Sequence, residues 1–457
     1  MHNTSIVWIR NDQRLHDNEA LTSAIDQSIS VLPVYIIGNR LFERSTIGLP
    51  RASAIRLNFL KESLVELRKN YQAIGGDMLC LKGEVSESLI EICRNLEINT
   101  IFTSAEYTSE EKEEEQKIVD AGINLVRFHQ STLTHLKDLD FEIEKLPNVF
   151  TQFRKQVETQ NKYRSPLSKP TFINVPNQVD FSNSEACINQ HLTQKINYDD
   201  RSSLQFIGGE TAALKRLKHY THESRAIANY KETRNQMLGS DYSSKFSAWL
   251  ANGNLSARQI KSELELFEST IIKNESTYWL VFELLWRDYF KYVSLKYGEK
   301  IFKQSGIKQC KIQSNDDENE LFNDWKNANT GNPFVDANLL ELRLTGFMSN
   351  RGRQNAASYL VKDLNVNWQL GAAFFEYCLI DFDASSNYCN WQYVAGVGND
   401  PRTNRYFNTI HQAKRYDPEA HFIKTWLPKL MALSAEEAIS PWQNFPNKYK
   451  HPIFLKE

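Results

Sequence analysis

Between Ser5 and His129 the chain keeps switching between short β-rich runs and helical stretches; beyond Gly208–Gly209 it does not. The β-rich runs are Ser5–Ile9, Val31–Ile37, Asp77–Gly83, Thr100–Ala105 and Asn124–His129, and helical stretches such as Ala52–Asn70 and Val85–Leu96 lie between them. Strands alternating with helices of this length pair in parallel through crossovers, which predicts an α/β domain with helices on both faces of a parallel sheet. After Gly209 helical periods run almost to the end, in "GETAALKRLKHYTHE", "SARQIKSELELFEST" and "STYWLVFELLWRDYFKYVSLKYG", so an all-α C-terminal domain is expected. Between the two regimes, "SPLSKPTFINVPNQVDFSNSEACINQ" is rich in Pro, Ser and Asn and holds no period, the mark of a surface connector. The expected division is an α/β domain over 1–135, a connector over 136–206 and a helical domain over 207–457.

Bulk properties narrow the function. A formal net charge of −2 means that any nucleic-acid site must be a local basic patch. The six Cys show no CxxC and no metal-ligand spacing, so they read as reduced thiols of a cytoplasmic protein. The start turns polar after Ile9, unlike a signal peptide, and no apolar run approaches the roughly 20 residues that span a bilayer. No Ser-His-Asp arrangement, HExxH, Walker lysine loop or GxGxxG after the first strand is present, which leaves hydrolysis and phosphoryl transfer without machinery.

Four stretches carry chemistry instead. In "DYSSKFSAWLANGNLSAR" (241–258), Ser243, Ser244 and Ser247 either cap the following helix or share its free N–H groups with a phosphate. In "FELLWRDYF" (282–290), Glu283 and Trp286 are three apart and share a helix face; Trp286 either stacks on a base or planar cofactor, or packs in a half-buried amphipathic helix. In "TGFMSNRGRQNAASYL" (345–360), Asn350, Arg351 and Arg353 suit a phosphate or carboxylate partner, or form a charged surface turn. "DFDASSNYCNWQYVAGVGNDPRTNRYF" (381–407) sets Asp381 and Asp383 on one side, able to take ribose hydroxyls, pair with Arg353 or bind a metal. Metal is disfavoured because no further ligand follows at suitable spacing. Aromatics, acids and Arg without a nucleophile point to a bound, nucleotide-like cofactor that supplies the chemistry.

These stretches, in this order, resemble the photolyase/cryptochrome family, and most closely its cryptochrome-DASH branch. The resemblance runs from "VWIRNDQRLHDNEAL" through "YKETRNQMLGSDYSSKFSAWLANGNLSAR", "TGFMSNRGRQNAASYLVKDL" and "NYCNWQYVAGVGNDPRTNRYFN" to "FIKTWLPKL". It implies an N-terminal antenna domain and a helical domain holding FAD. It places Ser243, Ser244, Lys245, Phe246 and Ser247 around the FAD pyrophosphate with Tyr230 nearby, Asp381, Asp383 and Arg353 on the adenosine and flavin side, and Asn387 opposite the flavin N5. It implies an electron-hopping chain from Trp391 nearest the flavin through Trp368 to Trp325 at the surface. Methenyltetrahydrofolate is the implied antenna, with Glu110 its contact.

On the substrate side the resemblance implies that Glu283 bonds the base edge of a cyclobutane pyrimidine dimer and Trp286 packs on it. Asn350, Arg351, Arg234 and Gln412 are implied contacts, and Arg402 and Arg405 meet phosphates. Tyr393 and Gln354 stand where dimer photolyases carry Trp and Met. Both make the pocket more polar, so it grips a flipped dimer weakly and cannot offset the few kcal/mol that flipping costs in a duplex. The expected activity is blue-light-driven repair of pyrimidine dimers, mainly in single-stranded or looped-out DNA, by a monomer or weak dimer, with duplex DNA or RNA bound non-specifically. The alternative is a blue-light photoreceptor that binds nucleic acid without significant repair.

Overall fold

The computed structural model describes residues 2–310, 317–402 and 405–455. Strands β1 (His2–Trp8), β2 (Ser28–Gly38), β3 (Leu79–Gly83), β4 (Thr100–Ser104) and β5 (Asn124–Phe128) form one sheet in the order β3-β2-β1-β4-β5. Every pairing is parallel. Helices α1 (Glu19–Gln27), α2 (Ala54–Ala73), α3 (Val85–Asn95) and α4 (Ser109–Asp120) make the crossovers. β2 shows why both faces are covered. Val31, Tyr35 and Ile37 pack with Leu21 of α1 and Leu64 of α2, while the alternate residues Leu32, Val34 and Ile36 pack with Leu89 of α3 and Ile118 of α4. A strand buried on both sides reads as a continuous apolar run. The strand order reverses direction between β1 and β4, which leaves a crevice at their C-terminal ends.

The connector is not plain loop. Helix α5 (Phe150–Gln160) buries Phe150, Phe153 and Val157 in the helical core, and α6 (Ser184–Leu192) lays Ser184, Ile188 and Leu192 against the sheet. The Cys80 N–H donates to Ser184 Oγ at 3.1 Å and ties α6 to β3. Each helix commits only a narrow apolar stripe, so the surrounding Pro, Ser and Asn mask its period.

The remaining chain is helical: α7 (Glu210–Lys218), α8 (Tyr230–Thr233), α9 (Ser247–Asn252), α10 (Ala257–Thr270), α11 (Glu275–Tyr297), α12 (Glu318–Lys326), α13 (Pro333–Thr345), α14 (Asn350–Ser358), α15 (Trp368–Cys378), α16 (Ala384–Ala395) and α17 (Thr409–Tyr416). α11 is the axis of this half. Its start is fixed by Asn274, whose side chain accepts from the Ser276 and Thr277 N–H groups, and it packs on α5, α8 and α16. The Asn-Arg-Gly-Arg group is helix, not turn. A Cβ at Gly352 would stand 1.9 Å from Asn338 Oδ1 on α13, so the glycine between the two arginines lets α13 and α14 touch. Among the described residues no helix is long and apolar enough to cross a membrane.

The two halves are joined by a buried ion pair. Asp17, in the loop after β1, is fully buried and meets Arg258 of α10 at 2.8 and 3.0 Å. Ser256 donates to the same carboxylate at 2.5 Å, and the Leu167 N–H of the connector donates at 3.0 Å. Removing one partner of such a pair strands the other charge in a low-dielectric interior. Asp17→Ala is therefore expected to lower unfolding free energy by about 3 to 5 kcal/mol, read by urea denaturation. Asp17→Ala with Arg258→Met is expected to recover part of the loss; equal or additive loss in the double variant would refute the pairing.

Candidate functional site

A cavity of about 750 Å³ opens in the helical half, walled by α8, α9, α11, α14 and α16 and the loops before them. Its volume falls in the ligand-pocket range of roughly 300–1,000 Å³. The loop Ser240–Phe246 forms one wall, and Arg216 of α7 sets its shape. Arg216 donates to the carbonyls of Ser240, Ser243 and Ser244 at 3.0 Å each and to Asp241 at 2.7 Å. With those acceptors consumed, donors dominate what the loop can offer a ligand. The serines do not cap α9: its N-cap is Phe246, with no side-chain cap. Lys245 holds a left-handed φ of 56° and is 3% exposed, and its ammonium has no hydrogen-bond partner. It lies 3.5 Å from the centre of the Tyr242 ring. Burial pulls the Lys245 ammonium down to about 7, against the opposing charge of Glu341. Glu341 on α13 is pushed up to about 8 by the same burial and has one oxygen without a partner.

The opposite wall carries the acids. Asp381 pairs with Arg353 at 2.7 Å, and its other oxygen, buried, has no partner. Asp383 caps α16 by accepting from the Ser386 N–H at 2.8 Å, and Lys291 of α11 donates to its second oxygen at 2.8 Å. Burial alone would push the Asp383 carboxyl up, but Lys291 and Arg287 hold it well below the usual carboxylate range. The buried Asn387 amide donates to Ala372 O at 3.1 Å, which fixes its plane. Unpaired buried groups of both signs on facing walls are costly unless something bridges them.

At the mouth, Trp286 stacks on Phe150 of α5, with ring centres 3.7 Å apart and planes 14° off parallel, and meets Tyr393 edge-on at 5.9 Å. The Tyr393 hydroxyl accepts from Arg405 at 3.1 Å, while Arg405 also pairs with Asp400. Glu283 pairs with Arg234. Burial raises the Glu283 carboxyl, and Arg234 opposes the rise. Arg351 donates to Gln354 at 2.8 Å and to Asn235 at 2.9 Å and lies over the Tyr416 ring of α17.

Of the residues singled out in the sequence, the cavity gathers Tyr230, Arg234, Ser243, Ser244, Lys245, Phe246 and Ser247 on one side. It also gathers Glu283, Trp286, Asn350, Arg351, Arg353, Gln354, Asp381, Asp383, Asn387, Trp391, Tyr393 and Arg402. Gln412 lies on α17, beside but not in the lining. Glu110 is elsewhere, in the first turn of α4, where Arg51 grips it with two bonds of 2.7 and 2.9 Å. The Trp325 expectation fails. Trp325 is 0% exposed, so it is no surface member of a chain. It meets Trp391 edge-on at 6.2 Å and donates its indole N–H to Ala356 O at 3.0 Å. Amphipathic α12 turns Trp325 and Phe322 inward together, which its order in the sequence could not tell. Trp368 is likewise sealed, its N–H donating to Gln304 O at 3.0 Å and its ring meeting Tyr388 at 6.2 Å.

Sequence reasoning missed Arg216, Lys291, Glu341 and Phe150. The first three are charged residues on helices whose periodicity says only "amphipathic", and Phe150 sits in the connector. Burial of a charge was the signal, and burial is not written in one chain.

Residues 5–171 match the family model described as DNA photolyase, and residues 279–455 match the FAD binding domain of DNA photolyase. The cryptochrome DASH of Gloeobacter violaceus is 43% identical over 98% of this chain and 90% of its own length. The crystal structure of the Synechocystis sp. cryptochrome superposes with a TM-score of 0.93 at 41% identity, covering 97% of this chain and 92% of that one. A bacterial class III photolyase from Agrobacterium tumefaciens superposes with a TM-score of 0.83 at 26% identity, covering 97% and 90%. Sheet module, helical cavity and near-complete alignment agree, and the chain belongs to the photolyase/cryptochrome family, on its cryptochrome DASH branch.

Proposed function

We propose that the chain holds FAD in the helical cavity and uses blue light to split cyclobutane pyrimidine dimers, mainly in single-stranded or looped-out DNA. One observation carries this reading: a single cavity is lined both by an unpartnered buried ammonium, Lys245, and by an aromatic mouth at Trp286 and Tyr393. The donor set suits FAD. Lys245 and the Ser243–Ser247 loop would take the pyrophosphate, the free oxygen of Asp381 a hydroxyl or ring N–H, and Asn387 the flavin edge. When bound, the flavin supplies light absorption and the electron. Trp391, buried at the cavity wall, would pass electrons inward to the flavin.

The chain's own residues then manage the substrate. Trp286 and Tyr393 offer ring surface to a flipped pyrimidine pair. Glu283, held partly toward its neutral form by burial, would donate or accept at the base edge once Arg234 lets go, and so steady charge that develops on the dimer. Gln354 and Arg351 supply polar contacts, Asn350 stands exposed at the start of α14, and Arg402 is an exposed cation for a phosphate. Tyr393 and Gln354 put polar atoms where a dimer needs apolar grip, which supports the single-strand preference. A photoreceptor without turnover is the second reading; the Arg234–Glu283 pair favours it, because it occupies the carboxylate that repair requires.

Methenyltetrahydrofolate is proposed as the antenna at the β1/β4 crevice. Glu106 and Glu111, both raised by burial, with Glu111 at about 7, stand beside Glu110 as acceptors for pterin N–H groups, and Arg51 would have to release Glu110.

Purified, reduced protein under blue light is expected to split a thymine dimer at least tenfold faster in a single strand than in the matched duplex, since flipping from the duplex costs a few kcal/mol. Equal rates would remove the single-strand inference. No splitting with photoreducible flavin bound would favour the photoreceptor. A second expectation concerns pH. A pyrophosphate beside Lys245 favours its charged form, so its pKa rises on binding from about 7. Affinity for FAD is then full below pH 7 and falls as pH rises, by up to about tenfold per unit until the raised value is passed. Ionisation of Glu341 acts with the same sign. Titration of the FAD-free protein between pH 6.5 and 9.5 checks this, and Lys245→Met is expected to bind more weakly with a flatter profile.

A further inference from the structure

We infer that Trp279 and Phe282 form a stacking platform for the unpaired base next to the flipped dimer, with Lys231 and Arg154 meeting its flanking phosphates. The inference rests on the reading of single-stranded DNA as substrate and adds a subsite to it. Both aromatics stand on α11, one and two turns ahead of Trp286, and both line the outer cavity wall. Neither is fully buried. Their rings stack at 4.8 Å and 27°. Phe282 meets Phe150 edge-on at 5.2 Å, and Phe150 in turn stacks on Trp286. The rings therefore run as a ladder from the mouth outward.

Cations lie over those rings. Lys231 Nζ and the Arg234 guanidinium each stand 5.1 Å from the Trp279 ring centre and the Arg154 guanidinium 5.5 Å from that of Phe282, so a base reaches the rings as these cations move onto its phosphates. Each is held by an acid, Lys231 by Glu275 and Arg154 by Glu158 at 3.5 Å. Glu275 is 80% exposed, and an exposed ion pair is weak enough for a phosphate to replace it. Rings with bordering cations are what sequence-tolerant single-strand binding uses, because every base has a π-face. In a duplex the neighbouring base is already stacked and paired and cannot reach Trp279. The platform thus rewards unpaired DNA directly, independently of the weak grip at Tyr393.

The test uses the FAD-loaded full chain in the dark. The probes are a short single strand carrying one thymine dimer with 2-aminopurine as the adjacent base, and its matched duplex. Binding to the single strand is expected to quench the 2-aminopurine. Trp279→Ala is expected to abolish the quenching and weaken single-strand binding roughly fivefold to hundredfold, the range for one stacked base, with duplex binding unchanged. Trp279→Phe is expected to restore both signals. Lys231→Ala is expected to lower the slope of log affinity against log salt by about 0.7 on the single strand, and it leaves the ladder intact should Trp279→Ala lose its flavin absorption and hence its fold. If Trp279→Ala binds and quenches like the parent, or weakens single strand and duplex alike, the platform is refuted while the single-strand reading stands. If the parent binds both probes equally without quenching, both fall.

Discussion

Asp17 is where three segments of this molecule meet. Its carboxylate takes Arg258 and Ser256 from the helical half and the Leu167 N–H from the connector, while its own backbone carbonyl accepts from Arg14 at 2.8 Å. Close by, a Cβ at Gly253 would stand 2.0 Å from Asn11 O. The loop after β1 and the end of α9 thus approach to backbone contact. A pair of charges buried this deeply earns little net stability, but it tolerates only one relative placement of its partners. That placement holds the cavity loop that follows α8 at a fixed distance from the sheet module.

The cavity shows the opposite economy of charge. Around Asp17 every acceptor finds a donor. Around Lys245, Glu341 and Asp381 several do not. Bare acceptors and a bare ammonium gathered around one cavity suit a ligand there, since orphaned buried groups otherwise cost free energy. Arg216 is the device that creates the asymmetry. By collecting the carbonyls of Ser240, Ser243 and Ser244 it leaves the loop short of acceptors beside a free ammonium, which suits an anion and repels a cation.

Much of this was legible in the residues. The five strands were read to within two or three residues at either end, because parallel strands buried on both faces are written as apolar runs. The cavity lining was legible through motifs, since Ser243–Ser247, Glu283–Trp286 and Asp381–Tyr393 are short stretches whose members face one way. Legibility stopped where a residue's meaning depended on its environment. Trp325 was read as a surface indole and is sealed in the core. The group around Gly352 was left open between a ligand-binding cluster and a surface turn, and the glycine serves a helix crossing. α5 and α6 were read as loop because three buried apolar residues in α5 and two in α6 cannot raise a period above their polar neighbours.

Local chemistry determined the element types, the change from α/β to helical architecture and the identity of the donors and acceptors that can recognise a nucleotide cofactor. These follow from side-chain spacing along one strand or one helix, which the chain carries in its order. Which charges are paired and which are left bare was settled only by folding. Lys291 reaches Asp383 and Phe150 covers Trp286 across 92 and 136 residues of sequence respectively. Such long-range meetings depend on how the helices cross, and crossing is set by the sum of many packing contacts rather than by any one motif.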